Sequence, residues 1–293
     1  MKGESGGEID LRHSNRENVR MRSILLVEDY PANQMITTRH LENAGYHVDL
    51  AEDGKQAIDA FKCKHYGLIL MDVQMPVMDG YQATKTIRKL ESELAAMDKI
   101  NADETMRRVP IIAMTAHALR ENKVICLEAG MDDFLSKPYT REGLLSMASK
   151  WLELSAKLVI QPVLAQNPNV ETSQDIVPIA VLADNPIDIE KAIEEFEGDK
   201  QFLSEVIEGF TMEVIEQIGT IRKALSCGDA ETVRNVAHSI KGGAANITAK
   251  AASRVAFELE IKGRSGYLNG AGEIVDNLEM EFETLRKFIQ ENF

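Results

Sequence analysis

The chain has 293 residues, an apolar fraction of 44%, a charged fraction of 27% and a formal net charge of −14. That length suits about two domains with real cores. Residues 24–153 carry 20 acids against 15 bases and residues 184–293 carry 21 against 12, so neither region has the basic footprint that duplex nucleic acid requires.

Cys63, Cys126 and Cys227 are far apart, odd in number and lack CxxC spacing, which argues for reduced buried thiols in a cytosolic protein. No apolar run approaches the roughly 20 residues needed to span a bilayer, so no membrane contact is expected of this chain. Residues 1–22 are polar and aperiodic and read as a flexible leader. Ile24-Leu25-Leu26-Val27 is a buried-strand run that ends in Glu28-Asp29. Pro31 suits the first turn of a helix with Met35, Ile36 and Leu41 on its apolar side, and Gly45 stops it. Val48 to Ala51 is a short strand, and Gly54 to Lys62 a short helix with Ala57, Ile58 and Phe61 inward. Leu68-Ile69-Leu70-Met71 is a second fully apolar run, closed by Asp72 and turned by Pro76. Gly80 opens a helix to about Leu90. Residues 91–108 are highly charged and read as a helix extension plus a surface loop.

Val109 to Met114 is the fourth strand and ends at Thr115. A helix from Leu119 to Ala129 stops at Gly130, Asp133 to Ser136 is a fifth strand leading to Lys137-Pro138, and a final helix covers Arg141 to Leu154. This alternation predicts an α/β domain over 23–154, a doubly wound (βα)5 parallel sheet. Residues 155–187 hold Pro162, Pro168, Pro178 and Pro186 and read as a linker. Residues 188–293 carry no strand pattern. Helices fit 189–196, 200–226, 230–246, 250–263 and 270–291, with turns at Gly228-Asp229 and Gly266-Tyr267. Leu203, Val206, Ile207, Phe210, Val214, Ile218, Ile221 and Leu225 recur at helical spacing, which predicts an all-α antiparallel bundle.

Parallel strands in register gather Glu28, Asp29, Asp72, Thr115 and Lys137 at the carboxyl edge of the sheet, where open α/β sheets place their chemistry. Crowded carboxylates repel and call for a hard cation, and Mg²⁺ with oxygen ligands fits. Lys137 can pair with a carboxylate or a phosphoryl oxygen, and Thr115 adds a hydroxyl. Together they suit phosphoryl transfer to Asp72 as nucleophile. Any one of these residues alone is more simply a cap, a solvated end or core.

The constellation resembles the receiver domain of two-component response regulators, a flavodoxin-like fold. The resemblance rests on VEDYPAN at 27–33, MDVQMPVMDG at 71–80, TA at 115–116 and KP at 137–138. It implies Asp72 as phosphoacceptor and Mg²⁺ held by Asp29, by Asp72, by Glu28 through water and by the backbone carbonyl of Gln74. It further implies Thr115 and Lys137 on the phosphoryl group and Phe134 as the switch aromatic. The segment 91–108 departs from the pattern by extra residues, expected on a face remote from the pocket.

The second marked stretch is Ala237-His238-Ser239-Ile240-Lys241-Gly242-Gly243. On a helix, Arg234, His238, Lys241, Gly242 and Ala245 share one face. Two consecutive glycines in a helix need a reason, since each costs about 1 kcal/mol against Ala. Either another protein approaches the imidazole there, or a neighbouring helix packs closely. A neutral ring nitrogen can attack phosphorus while the cations hold its oxygens. This stretch, with the helices around it over 184–293, resembles the histidine-containing phosphotransfer (HPt) domain. The resemblance implies His238 as phosphoacceptor, with Lys241 and Gly242 as its matching charge and small residue.

Together the resemblances imply a phosphorelay. A sensor histidine kinase donates to Asp72, and His238 exchanges the group with a receiver aspartate, on to a downstream response regulator. No Gly-rich nucleotide signature marks an ATP site, so the chain resembles either the C-terminal end of a hybrid histidine kinase or a stand-alone relay protein. Rival readings are an aspartate-based phosphatase, disfavoured by Gln74 where such enzymes use an acid, and a docking switch with the bundle as scaffold. A transcription regulator is opposed by the charge. Docking of the bundle is expected along the Pro31 helix, near Met35 and Ile36.

Overall fold

A computed structural model describes residues 22–97, 108–115, 120–157 and 186–292. The expected leader and most of the expected linker lie outside these residues, as do most of the charged segment 91–108, Ala116 of the TA motif and Leu119. The first domain has strands β1 (Ser23–Val27), β2 (His47–Ala51), β3 (Leu68–Asp72), β4 (Ile111–Thr115) and β5 (Asp133–Ser136). Its helices are α1 (Pro31–Asn43), α2 (Gly54–Cys63), α3 (Gly80–Met97), α4 (Arg120–Ala129) and α5 (Arg141–Lys157). All strand pairs are parallel, in the order β2-β1-β3-β4-β5.

Successive strand residues point to opposite faces, and both faces are covered. Leu25, Val27, Ile69, Met71, Ile111 and Ala113 pack with Ala57, Ile58, Ala83 and Ile87 on one side. Ile24, Leu26, Leu68, Leu70, Ile112 and Met114 pack with Leu41, Leu144, Ala148 and Leu152 on the other. This is the predicted doubly wound sheet. The fourth strand starts at Ile111, two residues later than expected, since Pro110 has no N–H to give a ladder. The charged segment begins as helix to Met97 and is not all surface. Half-buried Arg88 bonds Glu91 at 2.8 Å, Asp132 at 2.7 Å and the Val109 carbonyl at 2.8 Å, which ties the root of the insertion to the sheet.

The second domain is α6 (Ile189–Glu195), α7 (Lys200–Cys227), α8 (Ala230–Asn246), α9 (Lys250–Ser265) and α10 (Ala271–Asn292). Leu203, Val206, Ile207, Phe210, Val214, Ile218 and Ile221 of α7 are buried against Val233, Ala237, Leu259, Leu278 and Phe282. The Asp229 side chain accepts from Thr232 N–H at 3.0 Å and caps α8, just after the left-handed Gly228 ends α7. A Cβ on Gly263 would lie 2.5 Å from the Arg234 nitrogen, so glycine there lets α9 close on α8.

The two domains share one apolar cluster. Tyr30, Ala32 and Ile36, at the start of α1, are buried with the bundle core, and the Tyr30 ring meets Phe210 edge-on at 5.8 Å. Ile36 docks where expected; Met35 does not, and stays 41% exposed. Helix α1 therefore has two packed sides, Leu41 towards the sheet and Ile36 towards the bundle.

Candidate functional site

Strand β3 carries Asp72 to the sheet edge, 7% exposed, and Gly80 lets the next turn fold back over it. A Cβ on Gly80 would sit 2.2 Å from the Asp72 carbonyl oxygen. Lys137, at the end of β5, donates from Nζ to Asp72 Oδ2 at 2.6 Å and to Glu28 Oε2 at 2.5 Å. Gln74 N–H donates to Asp72 Oδ1 at 3.1 Å, and Asn33 Nδ2 donates to Glu28 Oε1 at 2.8 Å. Glu28, Asp29 and Asp72 each offer a carboxylate oxygen within 4.8 Å of the other two.

Charge crowding follows from this geometry. Burial, then the charges of Asp72 and Glu28, push Asp29 up to about 7. Burial also raises Glu28, with Lys137 opposing it. The Lys137 ammonium, although buried, is held charged by Asp72 and Glu28. Three oxygen donors with a net surplus of negative charge fit a small divalent cation. Asp29, which is the most open of the three, and Asp72 would hold it, and it would there neutralise charge on an anion bound beside them. Thr115, 7% exposed, lines the adjoining cleft with Asp29 and Gln74. Phe134 is half-buried against the α2–α3 side of the core.

On the bundle, α8 presents His238 half-buried, with its Nδ1 3.1 Å from Glu260 Oε1. Glu260 comes from α9, is 2% exposed and also accepts from Lys241 Nζ at 2.6 Å and Arg264 Nη2 at 3.0 Å. Burial alone would raise its carboxyl. Hydrogen bonds from His238 and Lys241 outweigh burial and hold it down at about 2. An ionised carboxylate only accepts, so Nδ1 is the nitrogen placed to donate to Glu260, with the Lys241 ammonium 3.5 Å from it, and in that neutral tautomer Nε2 is the nitrogen with a lone pair. Lys241 also lies 5.4 Å over the Phe257 ring. Arg234 bonds Asn235 Oδ1 and lines the same cleft as His238.

The two sets face each other. A cavity of about 310 Å³ has Glu28, Asp72 and Lys137 on one wall and His238, Lys241 and Gly242 on the other. A wider cleft of about 720 Å³ adjoins it and reaches Asp29, Thr115, Arg234 and His238. Thus Glu28, Asp29, Asp72, Gln74, Thr115 and Lys137 gather at one edge, with Arg234, His238, Lys241 and Gly242 opposite. Phe134 lies back in the core and lines neither cavity.

Sequence reasoning gave no role to Glu260, Asn33 or Tyr30. Asn33 bridges the domains, accepting from Asn246 Nδ2 at 2.7 Å while it donates to Glu28. The Leu259-Glu260 helix belongs to the resemblance, but a Glu on a helix face reads as one more surface acid, so the pattern gives its carboxylate no role. Of the two glycines only one is required by close packing. Around Gly242 a Cβ would meet nothing, whereas at Gly243 it would lie 2.4 Å from Phe210 and 2.6 Å from Tyr30.

A family model for the response regulator receiver domain matches residues 24–149, and one for the Hpt domain matches residues 205–288. Sensor protein GacS of Pseudomonas syringae pv. syringae is 39% identical over 134 residues, which are 46% of this chain and 14% of GacS. Sensor protein EvgS of Escherichia coli K12 is 28% identical over 239 residues, 82% of this chain and 17% of EvgS. The chain thus spans under a fifth of the length of either. Among solved structures, the receiver domain of a Pseudomonas aeruginosa PAO1 sensor histidine kinase, with magnesium in its active-site cleft, is 42% identical. It covers 45% of this chain and 98% of its own, with a TM-score of 0.37. The Saccharomyces cerevisiae complex of the phosphotransfer protein Ypd1 with the Ssk1 receiver is 30% identical over 46% of this chain and 90% of its own, with a TM-score of 0.43. Residues 24–149 are thus a response regulator receiver domain and residues 205–288 an Hpt domain, in that order along the chain.

Proposed function

We propose that Asp72 and His238 exchange a phosphoryl group directly, as consecutive stations of a phosphorelay. The observation that carries this reading is the single cavity walled by Asp72 and Lys137 on one side and by His238 and Lys241 on the other. Phospho-Asp72 would offer an acyl phosphate. The Nε2 lone pair attacks phosphorus, the N–P bond forms, the O–P bond breaks and its electron pair returns to the Asp72 carboxylate. The Nδ1 proton stays in place, and Glu260 neutralises the imidazolium charge. Lys137 holds Asp72 throughout, and Lys241 can turn from Glu260 to a phosphoryl oxygen. Mg²⁺ at Asp29, Asp72 and the Gln74 carbonyl is the proposed cofactor. The incoming donor is proposed to be a sensor histidine kinase and the outgoing acceptor a downstream receiver, in the cytoplasm. Domain limits of 23–154 and 188–293 are proposed with it.

The test is labelling of the full chain by a phosphorylated histidine-kinase donor with Mg²⁺. Asp72→Asn should abolish all labelling, and His238→Gln should trap label on Asp72. If His238→Gln still passes phosphate to a second receiver, the relay is wrong. If His238 never labels although Asp72 does, the bundle is a scaffold and the docking-switch reading takes over.

A further inference from the structure

The turn between α6 and α7 takes no part in the chemistry, yet it grips the receiver through four side chains within one short stretch. Glu195 Oε2 accepts from the backbone N–H of Arg141 at 2.8 Å, capping the start of α5. The Phe196 ring lies 6.1 Å from the His40 ring, edge-on. Glu197 accepts from Asn43 Nδ2 at 2.9 Å through one oxygen and pairs with Arg141 Nη2 through the other. Asp199 pairs with Arg39 Nη2 at 3.1 Å, and the Arg39 guanidinium lies 4.9 Å over the Phe202 ring. Glu197 does this from a left-handed backbone, φ 56°, at the position ending α6 where glycine is the unstrained choice. Glycine would relieve that strain but would lose both side-chain contacts.

We propose that residues 195–199 form a selectivity clasp. It seats receivers that present cations at the end of α1 and the start of α5, and its resident occupant is the chain's own receiver. This rests on the relay reading above and adds its regulation. His238 can face one aspartate at a time, so a second receiver reaches it only when the clasp opens. Ion pairs as exposed as Arg39–Asp199, with side chains 47% and 41% accessible, tune occupancy more than fold.

The test uses two full-length chains mixed in trans. The donor carries His238→Gln and is phosphorylated on Asp72. The acceptor carries Asp72→Asn, so its own receiver blocks the clasp without supplying phosphate. Arg39→Glu in the acceptor should expel that receiver and leave the acidic clasp intact for the donor. Transfer in trans should then rise about three- to tenfold. Adding Asp199→Asn to this acceptor keeps the α7 cap, relieves the repulsion between the introduced carboxylate and the clasp, and removes one donor contact, so the gain should shrink. The radius of gyration of the unphosphorylated chain should increase with Arg39→Glu alone. A trans rate and a radius both unchanged by Arg39→Glu would overturn the clasp. A larger radius with no labelling of His238 in any mixture would leave the clasp standing and sink the relay reading instead.

Discussion

Glu260 Oε1 lies 3.1 Å from His238 Nδ1, and the same carboxylate is the anchor of Lys241 and Arg264. One buried charge therefore sets the tautomer of the imidazole and the position of a cation beside it. Glu260→Gln keeps the shape but brings an amide that can donate to Nδ1, which would move the proton to Nε2 and spoil the nucleophile. Phosphoryl acceptance by His238 should fall about tenfold or more, by analogy with other tautomer-setting carboxylates. Stability gives a second readout. The folded carboxyl is held at about 2 against an ordinary 4.5. Because the folded value is depressed, the stabilisation is present above pH 4.5 and is lost as pH falls towards 2. Urea unfolding at pH 6 and pH 3 should show a smaller loss in Glu260→Gln than in the parent. Equal losses would mean the charge is not what holds the cluster.

The two glycines of α8 should respond in opposite ways to one methyl group. At Gly243 a Cβ would strike Phe210 and Tyr30, so Gly243→Ala should destabilise by about 1–3 kcal/mol through overpacking. Since Tyr30 belongs to the receiver, the same variant should weaken the seating of the two domains. At Gly242 nothing lies within 4 Å, so Gly242→Ala should stabilise the helix by up to about 1 kcal/mol. It should nevertheless slow transfer, because residue 242 lines the cavity between Asp72 and His238. Chemical denaturation and single-turnover transfer, measured on both variants, separate these effects. A Gly243→Ala chain as stable as its parent would refute the packing argument.

The strands and the acidic edge were legible because each rests on a local pattern. Apolar runs such as Leu68 to Met71 end in one polar residue, and parallel pairing brings those ends together without further information. The joint between the domains was legible only as an apolar contact at Ile36, and its polar part was not. Asn33, Thr37 and His40 are polar and sit on one helix, so they read as a solvent face, yet they are 4%, 1% and 5% exposed. Asn33 and His40 are buried through partners in the bundle, Asn246 and Phe196, whereas Thr37 is buried within the receiver, its hydroxyl 2.8 Å from that of Tyr139. Periodicity cannot report contacts that arise only when a second domain arrives. Hydrophobicity marked both Met35 and Ile36 for docking, and only Ile36 makes the contact.

The carboxylate nest predicts a response to metal that needs no phosphate. Glu28, Asp29 and Asp72 repel one another, and a divalent cation that binds the folded nest only should stabilise the receiver by about 2.7 kcal/mol at a hundredfold excess over its Kd. Mg²⁺ should therefore raise the melting temperature of the unphosphorylated chain, and chelation should reverse it. Asp29→Asn should abolish the rise while leaving the fold intact, because Asp29 is the most open of the three. Lys137→Ala should do the reverse. Without metal it leaves two buried carboxylates unpaired, at a cost of about 3 kcal/mol, and added Mg²⁺ should then recover more stability than in the parent. A melting temperature blind to Mg²⁺ in the parent chain would exclude the nest as a metal site.

Mild acid should loosen the domain joint through one imidazole. His40 is buried on α1, with the Phe196 ring against it and the charges of Arg141 and Glu197 nearby. Burial, then the Arg141 charge, lowers its pKa from 6.5 to about 4, against a smaller opposing pull from Glu197. A depressed histidine stabilises the packed state above pH 6.5, and this contribution is lost as pH falls through the folded value. The proton must enter a site that lacks room for its hydration, so the penalty grows steadily below pH 6.5 and reaches about 2 kcal/mol near pH 5. Between pH 7 and pH 5 the parent should lose about that much stability relative to His40→Gln, which cannot take the proton; Asp29, raised to about 7, gains stability over the same range in both chains and drops out of the difference. The radius of gyration of the parent should grow as the bundle lifts from α1, and that of His40→Gln should not. Parallel curves for the two chains would show that burial in the joint does not depress His40.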